Sequence, residues 1–179
     1  MISKIEARLL GKTMRKSIDA TAKIEKEKSI AKAVLSLPEV LLSSNVCIYL
    51  PIGSEVDTTE IIYGLEKLGK KLYAPVTNGD DMYPTFYGKE VETTVGNFGI
   101  TEPIGEPFDK NRLDLIIVPL VAFNSKRDRV GYGKGYYDRF IPENAITVGI
   151  AFAEQEFDFL ADKFDKKLDI IVTDKGVLR

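Results

Sequence analysis

The chain has 179 residues, 44% of them hydrophobic and 29% charged, and a formal net charge of −2. That is the balance of one globular domain, and it argues against nucleic acid as the main partner. With no histidine and Cys47 as its single cysteine, the chain excludes Ser-His-Asp and Cys-His catalysis, histidine-ligated zinc, thiolate metal clusters and internal disulfides.

The predicted elements run as follows. Ile2 to about Ile18 reads as a helix in which Ile2, Ile5, Leu9 and Met14 share an apolar face opposite the charges. Asp19 is placed to cap a second helix, in which Ile24, Ile30, Ala31, Val34 and Leu35 precede a stop at Pro38. Val46 to Leu50 is a short buried strand. Thr58 to Leu68 is a helix closed by Gly69, and Lys71 to Ala74 is the next strand. Tyr83 to Tyr87 suits an edge strand. Leu113 to Val118 is apolar past Asp114, as a strand buried on both faces requires. A long loop, Asn124 to Gly133, leads to a short helix over Gly135 to Phe140, and Ile146 to Phe152 and Leu168 to Val172 supply two more strands.

Strands alternating with helices predict an α/β fold, a three-layer α/β/α domain around a largely parallel sheet. Residues 1–179 read as one domain, without repeats or linkers. The longest apolar run, Leu115 to Phe123, is broken by Pro119 and falls short of the ~20 residues of a membrane span. The amino terminus is charged where a signal peptide needs its apolar core, so the cytoplasm is expected.

The segment Arg129 to Arg139 concentrates the chemistry. It holds three glycines, three tyrosines, three cations and one carboxylate in eleven residues. Glycines at 131, 133 and 135 let backbone N–H groups approach an anion closely. Arg129 and Lys134 add charge for phosphate, and Asp138 can hold a divalent ion against it. Tyr136 and Tyr137 offer flat faces to a heteroaromatic ligand. The segment follows a buried strand and leads into a helix, which is where ligands sit in open α/β sheets. It is not a Walker A loop, because Gly135 and not Ser or Thr follows Lys134, and its glycine spacing is not the dinucleotide fingerprint.

This segment resembles the signature of the 5-formyltetrahydrofolate cyclo-ligases, also called methenyltetrahydrofolate synthetases. That signature runs from a buried strand and proline into an Ala-Phe-Asp turn, an arginine, and a Gly-x-Gly-(Gly or Lys)-Gly-Tyr-Tyr-Asp stretch. Here Val118-Pro119, Ala122-Phe123, Arg129 and Gly131 through Asp138 match it. The likeness implies conversion of 5-formyltetrahydrofolate and ATP to 5,10-methenyltetrahydrofolate, ADP and phosphate, with Mg²⁺. A non-catalytic folate and ATP binder is the alternative, and a monomer acting on these small molecules is expected.

The resemblance extends to other segments. Lys4, Arg8 and Arg15 read by themselves as a solvated basic face, at a small cost from like charges at i, i+4. The family's Lys-x-x-x-Arg pattern, matched by Lys4 and Arg8, implies ATP contact for that pair. Pro51 to Thr58, directly after Leu50, matches the family's Pro-x-x-x-Glu-Val-Asp-Thr segment, and the resemblance implies folate contact for Leu50 and Glu55; a carboxylate suits the adjacent N–H donors of a pterin. Polyphosphate is then expected on Lys4, Arg8, Arg129 and Lys134 with Gly131, Gly133 and Gly135 as the cradle, Mg²⁺ on Asp138 and Asp165, and Lys134, Tyr136 and Tyr137 around the reacting groups. Phe98 is a candidate for the folate pocket or for packing. Asn124, Arg127 and Phe164 depart from the family's usual Asp, Gly and His, and Arg127 in place of glycine suggests a different loop conformation.

Overall fold

The computed structural model describes residues 1–162 and 165–179, and only the backbone of residue 98. The expectations attached to the Phe164 residue and to the Phe98 side chain lie outside the described residues. In chain order the elements are α1 (Lys4–Ser17), α2 (Ala20–Leu35), α3 (Pro38–Leu42), β1 (Asn45–Ile48), α4 (Thr59–Lys67), β2 (Lys71–Asn78), β3 (Asp81–Tyr87), β4 (Thr93–Val95) and β5 (Thr101–Pro103). They continue with β6 (Leu115–Pro119), β7 (Ala122–Phe123), β8 (Arg129–Val130), α5 (Tyr136–Phe140), β9 (Ile146–Ile150), β10 (Ile170–Thr173) and β11 (Gly176–Leu178).

The main sheet has seven strands in the order β11-β10-β9-β6-β1-β2-β3. Strands β10, β9, β6, β1 and β2 are parallel, and antiparallel β11 and β3 close the two edges. The sheet is thus mixed and mostly parallel, as the alternation of elements predicted. All-apolar β6 sits between β1 and β9, and Leu115, Ile116, Ile117 and Val118 are fully buried because helices or loops cover both faces. One face packs against α2, α3 and α4 through Ile30, Val34, Val40, Ile61 and Leu65. The other packs against Phe123, Phe140, Ile141 and Leu168, so that α5 and neighbouring loops form the third layer.

Local signals account for most boundaries. Ser3 and Glu6 make a reciprocal capping box for α1, and Asp19 accepts from Thr21 and Ala22 N–H at the start of α2. Gly69, at φ +72°, donates to the Glu66 carbonyl while Lys70 N–H reaches Leu65, the paired bonds of a Schellman cap on α4. Pro38 does end α2, but it also opens the short helix α3 from its first turn.

The apolar face expected on α1 is not the buried face. Ile5 and Leu9 are 75% and 66% exposed, whereas Ala7, Gly11 and Arg15 are buried. The small side chains at 7 and 11 let the helix backbone lie against β7 and the residue before it: a Cβ on Gly11 would fall 2.2 Å from the Val121 carbonyl oxygen. Close approach, and not apolar area, sets the orientation of this helix.

The loop after β7 also differs from expectation. Its residues Arg129 and Val130 form β8 against β7, so Asn124 to Gly133 is not one long open loop. Arg127 keeps a left-handed backbone, φ +66°, which glycine would adopt freely. The side chain therefore does not force a non-glycine conformation. Asn124, buried, accepts from Lys126 and Asp128 N–H and donates Nδ2–H to the Asp128 carboxylate (2.9 Å) and the Phe159 carbonyl (3.3 Å). Restoring aspartate at 124 would aim an anionic oxygen at both acceptors. Asn124→Asp is expected to cost about 1–3 kcal/mol, read as a fall in Tm of several degrees; an unchanged Tm would remove this amide from the loop's support.

Candidate functional site

From β1 the chain crosses to β2 on one side and later returns through β6 on the other, so the carboxyl ends of β1 and β6 flank a point where strand order reverses. A cleft of about 330 Å³ opens there. Its walls include Tyr49, Leu50, Ile52 and Glu55 beyond β1, Pro119 at the end of β6, and Gly131 to Asp138. Lys4 and Arg8 enter from α1, Asp165 from the segment before β10, and Pro75, Thr77, Met82, Ile100 and Glu102 from the β2–β3 and β4–β5 side.

The glycine loop has the backbone its composition suggests. Gly133 and Gly135 lie at φ +95° and +69°, where a side chain is strained. Arg8 sits directly behind the loop, donating Nε–H to the Gly131 carbonyl at 2.8 Å. Its guanidinium occupies the space beside Gly133, 3.4 Å from where a Cβ would be. Lys134 lines the same cleft from an exposed position.

Cations and carboxylates arrive in pairs. Arg129 is 6% exposed; one Nη donates to Asp138 at 2.6 Å and the other to the Lys166 carbonyl at 2.6 Å. Lys4 bridges Asp162 (2.8 Å) and Asp165 (2.6 Å). Partial burial alone would lower the Lys4 ammonium pKa, but the hydrogen bonds and charges of those carboxylates outweigh it and hold the pKa above its ordinary value. Each carboxylate expected to hold Mg²⁺ is therefore paired with a cation expected to hold phosphate. Among the described residues no group of three or more acidic or thiol ligands gathers for a metal ion.

The tyrosines divide. Tyr136 donates its hydroxyl to the Gly79 carbonyl at 2.8 Å and stacks under the Arg139 guanidinium, tying the loop to the β2–β3 turn. Tyr137 packs edge-on against Phe140, and burial pushes its hydroxyl pKa well above the ordinary phenol value. Glu55 is 5% exposed; its Oε2 accepts from Ile52 N–H (2.8 Å) and its Oε1 from the Tyr132 hydroxyl (2.9 Å). Burial raises the Glu55 pKa, opposed by those two hydrogen bonds and by the charge of Arg15.

Every described residue expected to bind substrate, phosphate or metal lines this cleft: Lys4, Arg8, Leu50, Glu55, Arg129, Gly131, Gly133, Lys134, Gly135, Tyr136, Tyr137, Asp138 and Asp165. Sequence reasoning missed the distal wall of Pro75, Thr77 and Met82, which carries no local signal. It also undervalued Tyr132 and Arg15. Arg15 lies four residues beyond Gly11 and eight beyond Ala7, and that spacing is the clue that it faces inward.

A model of the 5-formyltetrahydrofolate cyclo-ligase family matches residues 3–174. The chain belongs to that family. A Schizosaccharomyces pombe protein named "Probable 5-formyltetrahydrofolate cyclo-ligase" is 37% identical over 174 residues, spanning 84% of this chain and 85% of its own. The solved structure of Aquifex aeolicus 5,10-methenyltetrahydrofolate synthetase superposes with a TM-score of 0.87 at 34% identity, covering 98% of this chain and 92% of that one. The Mycoplasma pneumoniae 5,10-methenyltetrahydrofolate synthetase superposes at 0.80 with 26% identity, covering 97% and 99%. The protein is thus an enzyme of the cyclo-ligase family on the family's α/β fold.

Proposed function

We propose that the protein converts 5-formyltetrahydrofolate to 5,10-methenyltetrahydrofolate, with ATP cleaved to ADP and phosphate. A single observation carries the reading: one cleft joins a glycine loop ringed by Lys4, Arg8, Arg129 and Lys134 to a buried carboxylate, Glu55, on an apolar wall. The first half suits a polyphosphate and the second a flat heterocycle with adjacent N–H donors.

A formamide oxygen is a poor leaving group. Transfer of the γ-phosphoryl group to the formyl oxygen, releasing ADP, gives an iminium phosphate. The N10 lone pair then attacks the formyl carbon; the carbon–oxygen bond breaks, phosphate departs, and N10 loses its proton as the ring closes. Phosphoryl transfer depends mainly on alignment and charge neutralisation. A chain with no histidine is suited to it.

In this reading Lys4, Arg8, Arg129 and Lys134 align the phosphates, and Leu50 and Glu55 seat the folate. Lys134, Tyr136 and Tyr137 border the reacting groups. Mg²⁺ fits the donor set, since it is ordinarily held by one or two carboxylates together with phosphate oxygens and water and needs no protein cage. Asp138 and Asp165 are the residues that would hold it. Its contribution when bound is to neutralise charge on the phosphates. The reading also takes residues 1–179 as one domain acting as a cytoplasmic monomer on small molecules, without nucleic-acid or membrane partners.

The test mixes protein, 5-formyltetrahydrofolate and Mg·ATP and follows the methenyl chromophore with ADP release. Equal yields of both are expected. Binding of both ligands without product would instead make the protein a binder. Glu55→Gln is expected to raise KM for the folate roughly tenfold or more, the loss of a charge-assisted hydrogen bond, and to leave KM for ATP unchanged. Equal losses for both substrates would take Glu55 out of the folate site.

A further inference from the structure

Arg15 is a buried cation that the proposed reaction leaves unused. It is 4% exposed on the inner face of α1. Its hydrogen bonds go to neutral oxygens: Nε–H to Ser54 Oγ (3.0 Å), one Nη to the Leu120 carbonyl (3.4 Å) and the other to the Tyr132 hydroxyl (2.9 Å). Among the described residues no carboxylate lies within ion-pair distance of it. Removing a guanidinium from water is costly unless a counter-charge lies nearby. Tyr132 supplies the route to one, because its hydroxyl accepts from Arg15 and donates to Glu55 Oε1.

We infer that Arg15, acting through the Tyr132 hydroxyl, is a positioning residue that keeps the Glu55 carboxylate charged and oriented for the folate. This rests on the reading of Glu55 as the folate anchor. The interposed phenol matters chemically. A direct two-pronged arginine–carboxylate pair, added to Ile52 N–H, would take three of the roughly four acceptor positions of Glu55. Here Tyr132 takes one position on Oε1 and Ile52 N–H one on Oε2, and an ionised carboxylate retains acceptor capacity on both. The chain of guanidinium, phenol and carboxylate is also polarised in one direction, which strengthens each link.

Charge state follows from the same geometry. The titratable groups facing Glu55 are Arg15 from α1, Tyr132 from the glycine loop, Tyr49 beyond β1 and Tyr137 from α5; Lys12 stands over the Tyr132 ring at 5.0 Å. Burial raises the Glu55 pKa, while Ile52 N–H, the Tyr132 hydroxyl and Arg15 lower it. The binding form is the carboxylate, so folate affinity falls as pH drops through that pKa. Removing Arg15 or the Tyr132 hydroxyl raises the pKa further and moves this acid limb to higher pH.

The experiment is a titration of 5-formyltetrahydrofolate binding against pH for the full chain and for Tyr132→Phe, Arg15→Met, Glu55→Gln and the two double variants with Glu55→Gln. Tyr132→Phe and Arg15→Met are each expected to weaken folate binding roughly tenfold at neutral pH and to shift the acid limb upward. ATP affinity should stay within about twofold. In the Glu55→Gln background both substitutions should add nothing. Should Glu55→Gln itself leave folate affinity intact, the folate-anchor reading fails. Should it weaken binding while Tyr132→Phe and Arg15→Met cost the same with or without Glu55, or leave the acid limb in place, the relay is only structural and the inference is overturned. Tyr132→Phe removes one hydroxyl and carries the test if Arg15→Met does not fold.

Discussion

Asp138→Asn is expected to lower turnover by about two to three orders of magnitude, the scale of losing one preorganised charge contact at a reacting phosphoryl group. In the proposed site Asp138 lies where the glycine loop enters α5, facing the cleft with Arg129 beside it. The substitution preserves shape and removes charge, so the half-saturating Mg²⁺ concentration should rise together with the fall in turnover. A second effect follows from the 2.6 Å Arg129–Asp138 pair. Arg129 is almost fully enclosed, and without the carboxylate its guanidinium keeps only the Lys166 carbonyl among its described partners. Because the Asp138 side chain is 37% exposed, solvent moderates the penalty to about 1–3 kcal/mol. Urea denaturation separates the two effects. A lost turnover with an unchanged Mg²⁺ requirement, alongside lower stability, would confine Asp138 to holding Arg129.

Gly11→Ala is expected to weaken the protein, although alanine favours a helix over glycine by about 1 kcal/mol. The added methyl would lie 2.2 Å from the Val121 carbonyl oxygen, 3.0 Å from its carbon and 3.3 Å from Ala122 Cβ. That carbonyl cannot easily retreat. It accepts from the buried Gln155 Nε2 at 2.8 Å, and Val121 N–H is bonded to the Val130 carbonyl. The helix must move instead, at a cost of about 1–3 kcal/mol or more. Lys4 and Arg8 reach the cleft from α1 and Arg15 reaches Tyr132 from the same helix, so a small displacement takes all three from their partners. A drop in Tm of roughly 3–10 °C is expected, with KM rising for both substrates. A Tm that holds or increases would show that helix propensity outweighs the seating of α1 on Val121.

The sequence alone determined those features whose physics is local. The caps at Asp19 and Gly69 need only a few neighbouring residues, and the buried strand at Leu115 needs only an unbroken apolar run. The mostly parallel α/β fold follows from the order of such elements, and the residues around the glycine loop are readable because their spacing within a dozen positions is itself the signal. Tertiary structure decided everything that depends on what meets across the chain. The inward face of α1 is set by Val121, more than a hundred residues away, and runs against the apolar face its own sequence presents. Lys4 reaches Asp165 across 161 positions, and Arg129 and Asp138 become partners only because β8 and α5 converge. The chain from Arg15 through Tyr132 to Glu55 joins three segments with no shared periodicity. Burial and charge pairing are properties of the closed structure, so no one-dimensional pattern records them.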